Sequence, residues 1–290
     1  MGEYRDFIQK TVTGKTKKRH RGWIYLVVLF VAVFAYISES GDMSYIKKIS
    51  LRTLNDISQL DAVDAISMLY SSSFGDRELP IYSVENDKKQ IALTFDAAWG
   101  AEDFHKIMKI LDKHKVKVTF FMTGEWVEKN PDCVKELVER GHDLGNHGEN
   151  HYDMTTLSET EMRAEIQDCH DRVKKLADYD MKLFRPPYGA YNNGVIKMAE
   201  ELNYYPIQWS VDSLDWKDYG VESIISTVCN HKALEPGAII LCHNGAKYTA
   251  QALDDMITKL KSDGYELVPV SELILKENYH MDAAGKQIPD

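Results

Sequence analysis

From Pro80 to Val270, short apolar runs alternate with helical patterns, and this alternation limits the architectures open to the chain. The runs QIALTFD (90–96), VKVTFFMTG (116–124), DLGNH (143–147), KLFRP (182–186), YPIQWSVD (205–212), GAIILCH (237–243) and YELVPV (265–270) read as strands. Helical patterns fall between them at 104–114, 131–142, 158–177, 191–203, 220–233 and 249–263. Strand-then-helix order argues for an α/β fold on a parallel sheet, open or closed into a barrel. An open doubly wound sheet stays in play, although no glycine-rich phosphate loop follows the first strand.

The ends of these runs carry the reactive side chains. Asp96, His147, Arg185, Asp212 and His243 all close predicted strands, where parallel α/β folds gather their functional groups. A single buried aspartate or histidine is ordinarily a structural group; five at corresponding ends are not so easily dismissed. NHGENH (146–151) sets His147 and His151 at i and i+4, so a helical turn would point both imidazoles the same way, toward one cation. Two imidazoles suit zinc, nickel, cobalt or iron better than magnesium or calcium. RPPYG (185–189) places Arg185 beside a diproline turn, where its guanidinium could grip a carboxylate through two nitrogens. DSLDW (212–216) offers two carboxylates and an indole, with an ordinary helix cap as the alternative for Asp212, and ILCH (240–243) ends an apolar strand in His243.

The N-terminal part has a different character. The whole chain of 290 residues carries a formal charge of −10, yet its first 21 residues carry +5, leaving −15 for the rest. An acidic body of this kind argues against nucleic acid as a partner. Residues 22–37 form a run without a charge, directly after the basic block KTKKRHR. That pattern predicts a single membrane-spanning helix with the N-terminus in the cytoplasm and the remainder outside, with a cleaved signal peptide as the alternative. Apolar positions recurring at three- to five-residue intervals then suggest a helical stalk. The expected organisation is a cytoplasmic tail at 1–21, an anchor at 22–38, a stalk at 39–78, a main domain at 79–276 and a C-terminal tail at 277–290. Cys133, Cys169, Cys229 and Cys242 have no CxxC spacing and read as free thiols; nothing indicates an oligomeric state.

Taken in order, TFD (94–96), HxxxH (147–151), RPPYG, DSLDW and LCH (241–243) resemble the five motifs of the polysaccharide deacetylase family, the NodB-homology group of carbohydrate esterase family 4. The resemblance spans residues 80–275 and implies a distorted (β/α) barrel of about seven parallel strands. It also implies removal of acetyl groups from N-acetylated sugars of cell-wall glycan, aided by a divalent metal: zinc first, with cobalt, nickel, manganese or iron as alternatives. By the same resemblance, Asp96 is the general base and Arg185 orients it. His243 is the general acid, tuned by Asp215, with Asp212 as the motif's other acid. His147 and His151 hold the metal, Trp216 and Leu241 wall the acetyl pocket, and the Tyr188 N–H serves the oxyanion. An N-terminal anchor with an outer domain resembles the bacterial wall-acting members, and TFDxxWG (94–100) resembles the membrane-anchored, sporulation-associated branch of the family.

Two departures qualify this. Ala97 stands where the family has a second aspartate, the third protein ligand of the metal, and Gly148 stands where it has Ser or Thr. They leave a second expectation beside the first: a weak or inactive relative that binds wall glycan or a wall-assembly partner.

Overall fold

The computed structural model describes residues 77–290, so the expected tail, anchor and stalk lie outside the described residues. Among the described residues, no helix is long and apolar enough to cross a membrane. Residues 78–290 form one compact unit.

Its centre is β2 (Gln90–Ala97), with seven of eight residues buried. Parallel partners build outward from it. On one side lie β3 (Thr119–Met122), β4 (Asp143–Asn146), β5 (Leu183–Phe184) and β6 (Tyr205–Pro206). On the other lie β8 (Ile239–His243) and β7 (Val211–Asp212), while β9 (Glu266–Leu267) pairs with the first residues of β2. The connections are α1 (Phe104–His114), α2 (Gly124–Lys129), α3 (Pro131–Glu139), α4 (Glu159–Ala177), α5 (Asn193–Glu201), α6 (Val221–Cys229) and α7 (Thr249–Ser262). Most strands are shorter than the apolar runs suggest, because only part of each run pairs with a neighbouring strand.

The run 205–212 departs most from its expected form. It is two short strands, not one: its start pairs with β5 and its end with β8, at opposite ends of the pairing order. Laid flat, seven strands at the usual spacing would hold those edges roughly 29 Å apart. Pro206 and Val211 are five residues apart, a reach of roughly 18 Å at full extension. The sheet must therefore curl. Residues 81–84 bind across the gap, with Ile81 N donating to Pro206 O (2.8 Å) and Val84 N to Gly237 O (3.0 Å). Gly237 is obligatory there: its φ is +85°, and a Cβ would lie 1.7 Å from Val84 O.

The curl separates two apolar cores. Ile91, Leu93, Phe95 and Ala97 of β2 face the helices, with Phe104, Ile107, Phe120 and Leu253. Ala92 faces the other way, with Phe121, Leu183, Ile207 and Ile239. Since side chains alternate along a strand, Thr94 and Asp96 share the inner face with Ala92, and Ala97 does not. The stretch read as a C-terminal tail carries β10 (Tyr279–Met281) and β11 (Lys286–Pro289), and β11 pairs with β1 (Ser83–Val84) in a separate three-stranded sheet. All four cysteines are free thiols, three of them buried.

Candidate active site

At the carboxyl ends of β2, β4, β5 and β8, four of the expected residues meet on the inner face. Asp96 and His243 are direct neighbours in the β2–β8 register. Arg185, one residue past β5, is wholly buried. Its Nη1 donates to Asp96 Oδ1 (2.6 Å) and Thr94 Oγ1 (2.9 Å), and its Nη2 to Gln208 O (3.1 Å). The guanidinium also lies 4.0 Å from the centre of the Phe121 ring, a cation–π arrangement. Burial by itself would raise the Asp96 pKa, but the positive charge of Arg185, with His147 and His243, outweighs it and holds the carboxyl below its ordinary value. Arg185 thus occupies Oδ1, and Oδ2 lies 3.5 Å from His147 Nε2.

His243 is held by Asp215, a fully buried carboxylate. Asp215 Oδ1 meets His243 Nδ1 at 2.7 Å, while Oδ2 accepts from the His243 backbone N–H (2.7 Å) and the Thr249 hydroxyl (2.6 Å). Burial would lower the imidazole's pKa, yet the hydrogen bond and charge of Asp215 raise it above its ordinary value. Thr249, at the start of α7, is invisible in the sequence, because nothing around a lone threonine marks it as a carboxylate's partner. Trp99 belongs to the TFDxxWG motif but carries no expected role; its half-exposed indole stacks on His243, centroids 5.4 Å apart and planes 18° from parallel.

His147 and His151 also converge, but not by the helical turn that their spacing predicts. Residues 147–151 form an irregular turn in which Gly148 (φ +78°) and His151 (φ +58°) are left-handed. His147 Nδ1 pairs with Arg185 O at 2.7 Å. A carbonyl can only accept, so Nδ1 carries the proton and Nε2 keeps its lone pair. That Nε2 is 3.2 Å from His151 Nε2. Burial keeps both imidazoles below their ordinary pKa, with His151, also beside His147, down to about 4. Two neutral imidazoles this close fit two positions in the shell of one divalent cation. His147 and His151 would hold it, and Asp96 Oδ2 lies 3.5 Å from His147 Nε2. Among the described residues, no group of three or more His, Cys, Asp or Glu is arranged to hold an ion. Ala97 is wholly buried on the helix side of β2.

The remaining expected residues are placed less directly. Leu241 is buried on β8, two residues before His243, and Trp216 is half-exposed beside Asp215. Tyr188, left-handed at φ 59°, exposes a ring 4.5 Å from that of His151. Asp212 is taken up locally: its Oδ1 accepts from Leu214 N (2.8 Å), closing a turn. It meets His243 only as a nearby charge.

Comparisons with known proteins point to one family. The family model "Polysaccharide deacetylase" matches residues 83–207, which take in the Asp96, His147–His151 and Arg185 segments but end before Asp215 and His243. The uncharacterised protein YlxY of Bacillus subtilis is 35% identical over 195 residues, covering 67% of this chain and 60% of that one. A peptidoglycan-N-acetylglucosamine deacetylase of Bacillus cereus is 36% identical over 198 residues, covering 67% of this chain and 92% of that one. Among solved structures, a carbohydrate esterase family 4 pseudoenzyme from Bacillus anthracis superposes with a TM-score of 0.65 at 35% identity, covering 72% of this chain and 70% of that one. A mutant of that pseudoenzyme with restored enzymatic activity superposes equally well, at 36% identity and 72% of both chains.

Proposed function

The chain belongs to the polysaccharide deacetylase family, carbohydrate esterase family 4, and from that premise we propose that it removes acetyl groups from N-acetylated sugars of cell-wall glycan. The observation that carries the reading is the convergence of two tuned pairs, Asp96–Arg185 and His243–Asp215, at neighbouring strand ends. Amide hydrolysis needs a base for the attacking water and an acid for a poor amine leaving group. Asp96, anionic and oriented through Oδ1, takes the water proton on Oδ2. The water oxygen bonds to the acetyl carbon, the C–N bond breaks, and His243 gives its proton to the departing sugar nitrogen. Asp215 keeps that imidazole charged and oriented until then. The products are acetate and a free amine. When bound, a divalent cation on His147 and His151 supplies Lewis acidity at this site. Leu241 and Trp216 would flank the acetyl methyl, and the Tyr188 N–H would face the oxyanion. The basic stretch 1–21 and the apolar run 22–38 support a membrane anchor, with the catalytic domain outside the cell.

Acetate release from chitooligosaccharides and peptidoglycan, with and without chelator and added zinc or cobalt, tests the reading. Asp96→Asn and His243→Ala should each reduce release at least about a hundredfold, the usual worth of general acid–base catalysis; near-normal rates in either would reject its role.

A second reading draws support from Ala97, which leaves two histidines as protein ligands, and from the likeness to a pseudoenzyme. In it the chain binds wall glycan, or a wall-assembly partner, with little turnover. A protein that binds glycan, releases no acetate with any metal and gains activity on Ala97→Asp would favour it.

A further inference from the structure

The turn 147–151 holds two left-handed residues, and one of them, His151, is not glycine. Such a residue is strained and persists only where its surroundings enforce it. Enforcing contacts run the length of the turn. Asn146 Oδ1 accepts from Gly148 N (2.9 Å), Gly148 O accepts from Gly124 N (3.0 Å), and Glu149 O accepts from Glu125 N (3.0 Å). The Glu149 side chain pairs with Arg172 of α4. Next comes Asn150, whose backbone N–H donates to Glu165 Oε2 (2.8 Å) and whose Nδ2 donates to Glu165 Oε1 (2.6 Å).

Glu165 is the unusual member. It lies within α4 and is only 6% exposed, and charged carboxylates are seldom buried without a task. The reaction described above does not use it. Both its oxygens go to the residue just before His151. It also fills the space beside Gly148, where a Cβ would lie 3.1 Å from Oε2. The missing side chain at 148 and the buried carboxylate at 165 thus fit one another, and the departure at 148 has a structural counterpart.

We propose that Glu165 is the positioning residue of the His147–His151 pair: by binding Asn150 at two points it keeps His151 left-handed and its imidazole facing that of His147. The proposal concerns the shape of the turn; only its cation arm rests on the function proposed above.

The test uses Glu165→Leu and Glu165→Gln in the full chain, read by amide hydrogen exchange, thermal melting and zinc affinity by chelator competition. Leucine fills the volume and removes both acceptors. Glutamine can still accept the Asn150 N–H and can pair with a turned-over Asn150 amide. With leucine, exchange at residues 148–151 should quicken roughly tenfold or more while the rest of α4 stays protected. Zinc affinity should fall about 10- to 100-fold. Glutamine should stay near wild type in both readouts. Unchanged exchange at 148–151, faster exchange spread evenly over the domain with a lower melting temperature, or glutamine as damaging as leucine would each overturn the proposal. Where the leucine variant does not fold, Asn150→Ala, which removes the Nδ2 contact alone, should give a smaller local quickening; no change would count against it. If the wild type takes up no zinc, the cation in the proposed function fails, and exchange alone decides the role of Glu165.

Discussion

Asp96 carries the main chemical tension of the site. Arg185 keeps it anionic, which a base requires, yet a carboxyl held below its ordinary pKa is a weak base. A weak base works on an acidified water, so acetate release should vanish with chelator and return with zinc or cobalt. The pH profile follows from Asp96 and His243 together. In the proposed reaction the acidic limb belongs to Asp96 and should lie below the usual carboxylate range, whereas the alkaline limb belongs to His243 and should lie above pH 6.5. Activity that keeps rising far above neutral pH would exclude His243 as the acid. Ala97 faces the helix-side core, where a new carboxylate is poorly accommodated without a cation. Ala97→Asp should therefore melt below wild type without metal and gain more than wild type from added zinc; equal shifts would show that residue 97 does not reach the cation.

At the scale of elements, alternation along β2 separates chemistry from packing. Its even positions Thr94 and Asp96 meet Arg185 and its odd positions join the helices, a division the run QIALTFD already shows in its polar residues. The β3–β4 pair is packed just as closely. Gly145 lies against Phe121, whose ring would be 2.4 Å from an added Cβ. Gly145→Ala should thus destabilise by about 1–3 kcal/mol in urea unfolding through overpacking, and it should weaken zinc uptake because β4 leads into His147. The histidine turn illustrates how sequence spacing can succeed for the wrong reason. An i, i+4 interval suggests a helix, whereas the structure brings the two rings together through left-handed residues and a buried carboxylate. That carboxylate, Glu165 of α4, lies 15 positions after the Asn150 it holds. No periodicity links a helix residue to a turn that far upstream.

For the molecule as a whole, the site depends on closure of the sheet. The run 205–212 reaches both ends of the strand order, and residues 81–84 bind across the gap. Gly237→Ala would force Val84 away from that seam, so it should lower the melting temperature and reduce acetate release together, although it lies far from Asp96 in sequence. Acid should also weaken the fold. His142 and His151 sit at about pKa 4 through burial, against 6.5 for an ordinary histidine. A folded pKa below the unfolded one means that the unfolded chain binds more protons, so their contribution is present above pH 6.5 and is lost as pH falls toward 4. Asp96, also lowered, adds loss at still lower pH, while the raised His243 acts in the opposite sense and loses its contribution as pH rises through its folded value. Urea midpoints of the metal-free protein should therefore drop between pH 6.5 and 4; a flat profile there would contradict the burial of these histidines.

Local sequence was enough to determine the strand–helix alternation, the reactive residues at the strand ends and the two departures at Ala97 and Gly148, because each is written in neighbouring residues or in a short motif. Tertiary structure alone decided which oxygen of Asp96 is taken by Arg185, that Thr249 shares Asp215 with His243, that Trp99 covers His243, and that Glu165 supports the histidine turn. The physical reason is distance along the chain. Asn150 and Glu165 are 15 positions apart, Asp96 and Arg185 are 89 apart, and Trp99 and His243 are further apart still. Only the curl of the sheet and the packing of the helices bring such residues into contact.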